Sequence, residues 1–389
     1  MIRSTAQRTI LSNARLVTPT GVLKGQDVLV SEGRIEAVVP TGSETEGELV
    51  NLLGRTLFPG FIDTQVNGGG GALFNSEPTL ESIRTISRAH ARFGTTGLLP
   101  TLISDELEVI EAGLTAVSKA IDHGEPGILG IHIEGPFINE ARRGVHSAEK
   151  IRRLTMEMVE QLKPLAEGAT LLTLAPEQVE PGMIAALVAK GFIVSAGHSA
   201  ASYAEVRRAL GEGLRGFTHL FNAMSPFTAR EPGMVGAALD HDQAYCGLIA
   251  DGVHVSDAAL RLAFRAKGPG RLMLVTDAMP PLGTDLDHFD LLGETVSVNH
   301  GVCRDGRGAL AGSSLDMASA LRHFLSVSGC GLAEVARMAS TTPAQFLGLA
   351  GIRGAIAEGQ AADFAILDEG LRPVATIIAG ATVWPGRDA

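Results

Sequence analysis

Residues 192–223 read FIVSAGHSAASYAEVRRALGEGLRGFTHLFNA, and the fold is legible in that one stretch. Residues 192–196 are a short apolar run without alternation, closed by Gly197-His198. Residues 202–210 carry helical patterning, with Ser202 placed to cap the first turn. Residues 216–221 form a second apolar run, interrupted by Thr218-His219. Non-alternating runs suit parallel strands covered on both faces, and a serine before the first helical turn is a start signal. The stretch predicts strand, helix, strand, with a histidine at the end of each strand.

The same unit recurs in both directions. Apolar runs at 57–66, 96–102, 128–133, 170–174, 192–196, 216–221, 246–250 and 272–276 make eight candidate strands. Helical patterns lie between many of them, at 80–93, 105–122, 181–190, 202–210 and 257–266, with Asp257 as a candidate cap and Pro181 suited to a first turn. Eight strand–helix alternations predict a (β/α)8 TIM-like barrel. Residues 284–312 interrupt the pattern with Gly-rich, strand-like sequence before helices resume at 315–325 and 332–339. The two ends differ from the middle. Runs at 9–17, 27–30 and 34–39, and again at 363–367, 374–378 and 381–384, read as short strands. Neither end has enough strands to bury a sheet alone, so the expectation is a small β-sandwich built from both. The predicted division is 1–57 for the first part of the sandwich, 58–354 for the barrel and 355–389 for the rest.

Composition narrows the function. Of 389 residues, 43 are acidic and 32 basic, a formal charge of −11, which argues against nucleic acid. Only 4% are aromatic, which argues against a stacking platform. Three scattered cysteines offer no disulfide framework, residues 1–17 have no apolar leader pattern, and no run reaches the ~20 apolar residues of a membrane helix. The expected location is the cytoplasm, with no membrane partner.

In such a barrel the chemistry sits where strands end. Those ends read Asp63-Thr64-Gln65-Val66-Asn67, His132-Ile133-Glu134, Gly197-His198, Thr218-His219, Asp251-Gly252-Val253-His254 and Thr276-Asp277. A lone histidine there is usually structural. Two histidines and two carboxylates from four strands are harder to place without compensation, because converging ionisable groups repel or desolvate one another. One divalent cation resolves this. Two imidazoles and a carboxylate form a three-ligand set with an open position, and Glu134, His198 and His219 are the candidate ligands. Zinc suits them best, while iron, cobalt or manganese fit a similar set. Asp277 is then the candidate general base, taking a proton from water and returning it to a leaving amine.

These segments together resemble the N-acetylglucosamine-6-phosphate deacetylase family of the amidohydrolase superfamily, over nearly the whole chain. The resemblance rests on Pro59-Gly60-Phe61-Ile62-Asp63, His132-Ile133-Glu134-Gly135-Pro136-Phe137, Ala196-Gly197-His198-Ser199 and Thr218-His219-Leu220-Phe221-Asn222-Ala223-Met224. It continues through Asp251-Gly252-Val253-His254, Val275-Thr276-Asp277-Ala278-Met279 and Leu310-Ala311-Gly312-Ser313. It implies hydrolysis of the acetamide of an amino-sugar phosphate, the only partner expected besides a second subunit. It further implies that Asn222 and the Ala223 backbone hold the phosphate and that His254 contacts the sugar or its phosphate. Arg230 would reach the phosphate across a homodimer interface, and His146 would hold and polarise the acetamide oxygen. Plainer readings stand beside these: Arg230 as a surface ion-pair partner, His146 as an exposed loop residue, His254 as structural. One departure from the superfamily matters. Most members place His-x-His at the end of strand one, where this chain has Gln65-Val66-Asn67. Amides are poor ligands beside imidazole and carboxylate, so a single metal is expected. Three alternatives compete: a related enzyme acting on N-acetylgalactosamine 6-phosphate or an N-acyl amino acid, a nucleotide loop at 67–71, and an inactive scaffold. The loop lacks the Gly-Lys-Ser/Thr ending such sites need, and a dead scaffold would not keep all three ligands and Asp277.

Overall fold

A computed structural model describes residues 8–385; the outermost residues of both predicted sandwich segments, 1–7 and 386–389, lie outside the described residues. The eight strands are present and parallel: β1 (Phe61–Val66), β2 (Thr95–Ile103), β3 (Gly130–Glu134), β4 (Ala169–Leu174), β5 (Ile193–Ala196), β6 (Gly216–Phe217), β7 (Tyr245–Ile249) and β8 (Leu272–Val275). Each pairs with its neighbour in chain order. β1, β2, β3, β7 and β8 are buried at every position, which is why their sequences do not alternate.

The seam between β8 and β1 is closed by main-chain bonds near its top and by one side chain below them. The Asp277 N–H donates to the Gln65 carbonyl at 3.0 Å, and Val66 bridges Ala278 in parallel. Below them, Asp63 accepts from the Thr276 hydroxyl at 2.5 Å and from the N–H groups of Gln65 and Thr276 at 3.2 and 3.3 Å. One carboxylate on the first strand thus holds the last.

Helices return the chain between strands. Ser202 caps Tyr203–Gly211 as expected, in a reciprocal capping box with Glu205. Two cap expectations shift by one or two residues. Ser256 caps Asp257–Lys267, leaving Asp257 in the first turn, where its charge suits the helix dipole. Gly182, with φ of +89°, precedes Met183–Ala189, so Pro181 lies outside the helix.

The two ends of the chain meet as predicted. Phe364–Leu367 pairs antiparallel with Thr56–Pro59 inside a six-stranded sheet that also includes Arg15–Thr18 and Pro373–Ile378. A second sheet, of Thr9–Ser12, Gln26–Ser31, Arg34–Pro40 and Glu48–Asn51, packs against it. Leu11, Val28, Val30 and Ile35 share one core with Leu57, Phe364, Ile366 and Ile377. The run at 57–66 is therefore two strands, one in each body. They divide at Gly60, where a Cβ would lie 2.1 Å from Thr96 Oγ1. The interruption at 284–312 is a four-stranded antiparallel sheet, His288–Leu291, Glu294–Asn299, Val302–Arg304 and Leu310–Ser313. It returns to the barrel mouth, where the Ser313 N–H donates to the Asp277 carbonyl at 2.9 Å.

A candidate metal centre and its substrate cavity

Glu134 ends β3, while His198 and His219 lie just beyond β5 and β6. All three are buried, at 2%, 6% and 4% exposure. Glu134 Oε1 lies 3.0 Å from His198 Nε2 and 2.8 Å from His219 Nε2, and the two nitrogens are 3.0 Å apart. The protonation pattern limits what can fill that centre. His198 Nδ1 is 2.9 Å from the Arg142 carbonyl, which can only accept, so Nδ1 carries the proton and Nε2 turns its lone pair inward. Two imidazole nitrogens and a carboxylate oxygen then converge with too few protons between them, and a cation satisfies all three. Among the described residues, these form the group able to hold a metal ion. Burial alone would push the Glu134 carboxyl up, but the imidazoles of His198 and His219 against it hold it well below the usual range. Burial would likewise lower His219, and the Glu134 hydrogen bond and charge outweigh it.

The backbone around the centre is bent to present these groups. His198, His219, Phe221, Ala223 and Asp277 have φ of +47°, +37°, +80°, +52° and +53°. Left-handed non-glycine residues are costly, and such strain gathers at functional sites.

Asp277 faces the centre from the end of β8. Its Oδ1 accepts from Asn67 Nδ2 at 2.6 Å and Gln65 Nε2 at 3.1 Å. The Gln65 amide also donates to Glu134 Oε2 at 3.0 Å. Of the two amides standing in place of His-x-His, Gln65 thus ties Asp277 to Glu134, and Asn67 holds Asp277 alone. Both bonds fall on Oδ1, which keeps Oδ2 for a proton. Burial, and then the Glu134 charge, push the Asp277 carboxyl up to about 6.

His146 is 1% exposed and its ring lies 4.3 Å from that of His198, so it is no exposed loop residue. The Ser104 N–H donates to His146 Nδ1 at 3.1 Å, with the Ser104 hydroxyl 2.7 Å away. An N–H can only donate, so Nδ1 is the acceptor and Nε2 bears the proton. Burial and the nearby His198 keep the ring neutral by holding its pKa well below the usual value. The result is a fixed neutral N–H donor beside the centre.

These groups line one cavity of about 310 Å3, with Asn222, Ala223, His254, Leu310 and Gly312 completing its walls. That volume suits a small, single-ring ligand. Asn222 Nδ2 bonds weakly to the His219 and Leu220 carbonyls at 3.3 and 3.4 Å, so it is free to exchange them for a ligand. The Ala223 carbonyl accepts from the Ser199 N–H. His254 is held by Asp251, with Nδ1 2.6 Å from Oδ2. Arg230 is exposed on the turn after Met224 and does not line this cavity. His132 lies beneath the site, buried, with Nε2 on the Thr173 hydroxyl at 2.8 Å.

The amidohydrolase family matches residues 56–383, almost all of the described chain. The chain belongs to the amidohydrolase family. The N-acetylgalactosamine-6-phosphate deacetylase of Shewanella sp. (strain ANA-3) is 45% identical over 98% of this chain and 97% of that one. The crystal structure of N-acetylglucosamine-6-phosphate deacetylase from Pasteurella multocida aligns with a TM-score of 0.93 at 34% identity, covering 96% of this amidohydrolase and 99% of that chain. A mutant of the Mycobacterium smegmatis N-acetyl-D-glucosamine-6-phosphate deacetylase, solved in complex with N-acetyl-D-glucosamine-6-phosphate, aligns with a TM-score of 0.89 at 30% identity over 97% and 99%. The resemblance read from the strand-end motifs therefore extends over the whole amidohydrolase.

Two contributors were not picked out from the sequence. Ser104 sets the His146 tautomer from 42 positions away, and Asp251 bonds to His254. Ser104 carries no local signal, since its partner is distant in sequence. Asp251 had one, because Asp-Gly-x-His places a carboxylate three residues before a strand-end histidine in a turn.

Proposed function

We propose that this amidohydrolase hydrolyses N-acetyl-D-glucosamine 6-phosphate to D-glucosamine 6-phosphate and acetate. The observation that carries the reading is the convergence of Glu134, His198 and His219 with Asp277 on one rim of a sugar-sized cavity. A single divalent cation held by the three ligands, zinc by the chemistry of the donors and with iron, cobalt or manganese able to substitute, supplies Lewis acidity. The His146 Nε2–H donates to the acetamide oxygen as it gains charge. Asp277 takes a proton from the attacking water through Oδ2 and delivers it to the departing amine, while Gln65 and Asn67 keep Oδ1 in place.

The phosphate lies against Asn222, the Ala223 backbone and His254. Arg230 is exposed and off its own cavity, which fits a guanidinium serving the site of a second subunit in a homodimer. The division at 1–57, 58–354 and 355–389 belongs to the same reading, with the first boundary falling inside the strand Thr56–Pro59. So does a cytoplasmic setting; among the described residues no helix is long and apolar enough to cross a membrane.

A second reading, N-acetyl-D-galactosamine 6-phosphate as the preferred substrate, is favoured by the 45% identity to a relative of that name. The two sugars differ at one hydroxyl, and the metal centre is blind to it. Acetate release from both 6-phosphates, from unphosphorylated N-acetylglucosamine and from N-acetyl amino acids tests the proposal. The expected order puts N-acetylglucosamine 6-phosphate first and both 6-phosphates far above the rest. A preference for N-acetyl amino acids would overturn it, and a preference for the galacto epimer would select the second reading.

A further inference from the structure

We infer that Asp251 is a positioning residue that makes His254 a cationic phosphate ligand, and so sets the preference of the enzyme for phosphorylated over unphosphorylated sugars. The inference rests on the reading that His254 faces the substrate phosphate. Asp251 uses its two oxygens for different tasks. Oδ1 accepts the N–H groups of Val253 and His254, both at 2.8 Å, and folds residues 251–254 into a tight turn. Gly252 sits at its corner with φ of +73°, where a Cβ would lie 3.1 Å from the His323 ring. Oδ2 is left for His254 Nδ1 at 2.6 Å, the short separation of a charge-assisted bond.

The consequences are chemical. Nδ1 must carry a proton to meet a carboxylate, so a neutral His254 would present the bare lone pair of Nε2 to the cavity it lines. A bare lone pair repels a phosphate oxygen. With Nε2 also protonated, the ring donates to Asp251 on one side and to the anion on the other. The side chains of both residues are largely shielded, at 6% and 15% exposure, which preserves the interaction from solvent screening. A ring that donates at both nitrogens therefore joins the Asp251 carboxylate to the phosphate, one at Nδ1 and the other at Nε2.

Asp251→Asn separates charge from shape. The amide oxygen still accepts the two N–H groups, so the turn survives. The amide nitrogen then faces Nδ1 and donates to it, which moves the ring proton to Nε2 and leaves the histidine neutral. The neutral ring still donates, but without charge assistance, a loss of roughly tenfold in affinity.

The test uses the metal-loaded full-length enzyme. In Asp251→Asn, KM for N-acetylglucosamine 6-phosphate should rise about tenfold with kcat within about twofold. The kcat/KM for unphosphorylated N-acetylglucosamine should stay at the wild-type value. In the nitrogen-15 spectrum of protein saturated with inorganic phosphate, the His254 ring, assigned by its disappearance in His254→Gln, should carry two N–H groups in the wild type. It should carry one, on Nε2, in Asp251→Asn. An unchanged KM, an equal loss on both sugars, or a neutral wild-type ring would overturn the inference. If His254→Gln abolishes the preference for phosphate while Asp251→Asn does not, only the role of Asp251 falls. If His254→Gln leaves that preference intact, the phosphate reading of His254 falls with it.

Discussion

In the proposed reaction Asp277 meets two opposed demands, to be a base and to survive beside another carboxylate. Burial and Glu134 raise its pKa to about 6, and two amide donors on Oδ1 hold it in place. Asp277→Asn should fold and bind metal while kcat falls at least about a thousandfold, with metal analysis run alongside acetate release. Near-normal kcat would remove Asp277 from the chemistry. Gln65 is the bridge between Asp277 and Glu134, so Gln65→Leu should cost about 10–100-fold in activity or in metal affinity; isothermal titration with Zn2+ separates the two. That Glu134, His198, His219 and Asp277 converge, and that His-x-His is missing, was legible because these are strand-end residues of distinctive type. What Gln65 and Asn67 do instead was not, because an amide has no reading until the carboxylate it bonds to is placed. His146 shows the same limit. Its presence in the site was implied by resemblance, but its protonated nitrogen follows from a main-chain donor at Ser104 that no motif announces.

At the scale of elements, the eight strands and their parallel order could be read from non-alternating apolar runs. Their limits could not, because residues 57–66 are one apolar run serving two bodies. Gly60 is the hinge of that change, donating its N–H to the Asp363 carbonyl at 2.9 Å while Thr96 fills the space beside it. Thr96 is β-branched and has little rotamer freedom to yield. Gly60→Ala should therefore lower stability by about 1–3 kcal/mol, read as a loss in the urea midpoint at unchanged m-value. Zn2+ affinity should not change, since the proposed metal ligands lie on β3 and beyond β5 and β6. The inserted sheet was legible as strand-like but not as a wall of the site. Its place beside Asp277 follows from the Ser313–Asp277 hydrogen bond, made 36 positions apart.

For the whole molecule, Asp63 couples barrel closure to pH. Burial raises its pKa from 3.8 to about 7, despite the hydrogen bond from Thr276. Between about pH 4 and 7 the native protein holds a proton that the unfolded chain has already released. The stability that proton contributes is present at low pH and is lost as pH rises to about 7, at a slope of about 1.4 kcal/mol per unit. Urea unfolding of wild type and Asp63→Asn across that window should show the wild type losing stability relative to the variant at about that slope, since Asp277 and the buried histidines titrate in both; parallel curves would mean that Asp63 is charged throughout.

The proposed chemistry comes down to one metal ion and one amide bond. The direct measurement is acetate release from N-acetylglucosamine 6-phosphate by chelator-stripped protein, titrated with Zn2+. Activity should start near zero, rise linearly and reach its plateau at one equivalent per chain. Full activity in metal-free protein, or a plateau at two equivalents, would contradict the reading of Glu134, His198 and His219 as a single-ion hydrolytic centre.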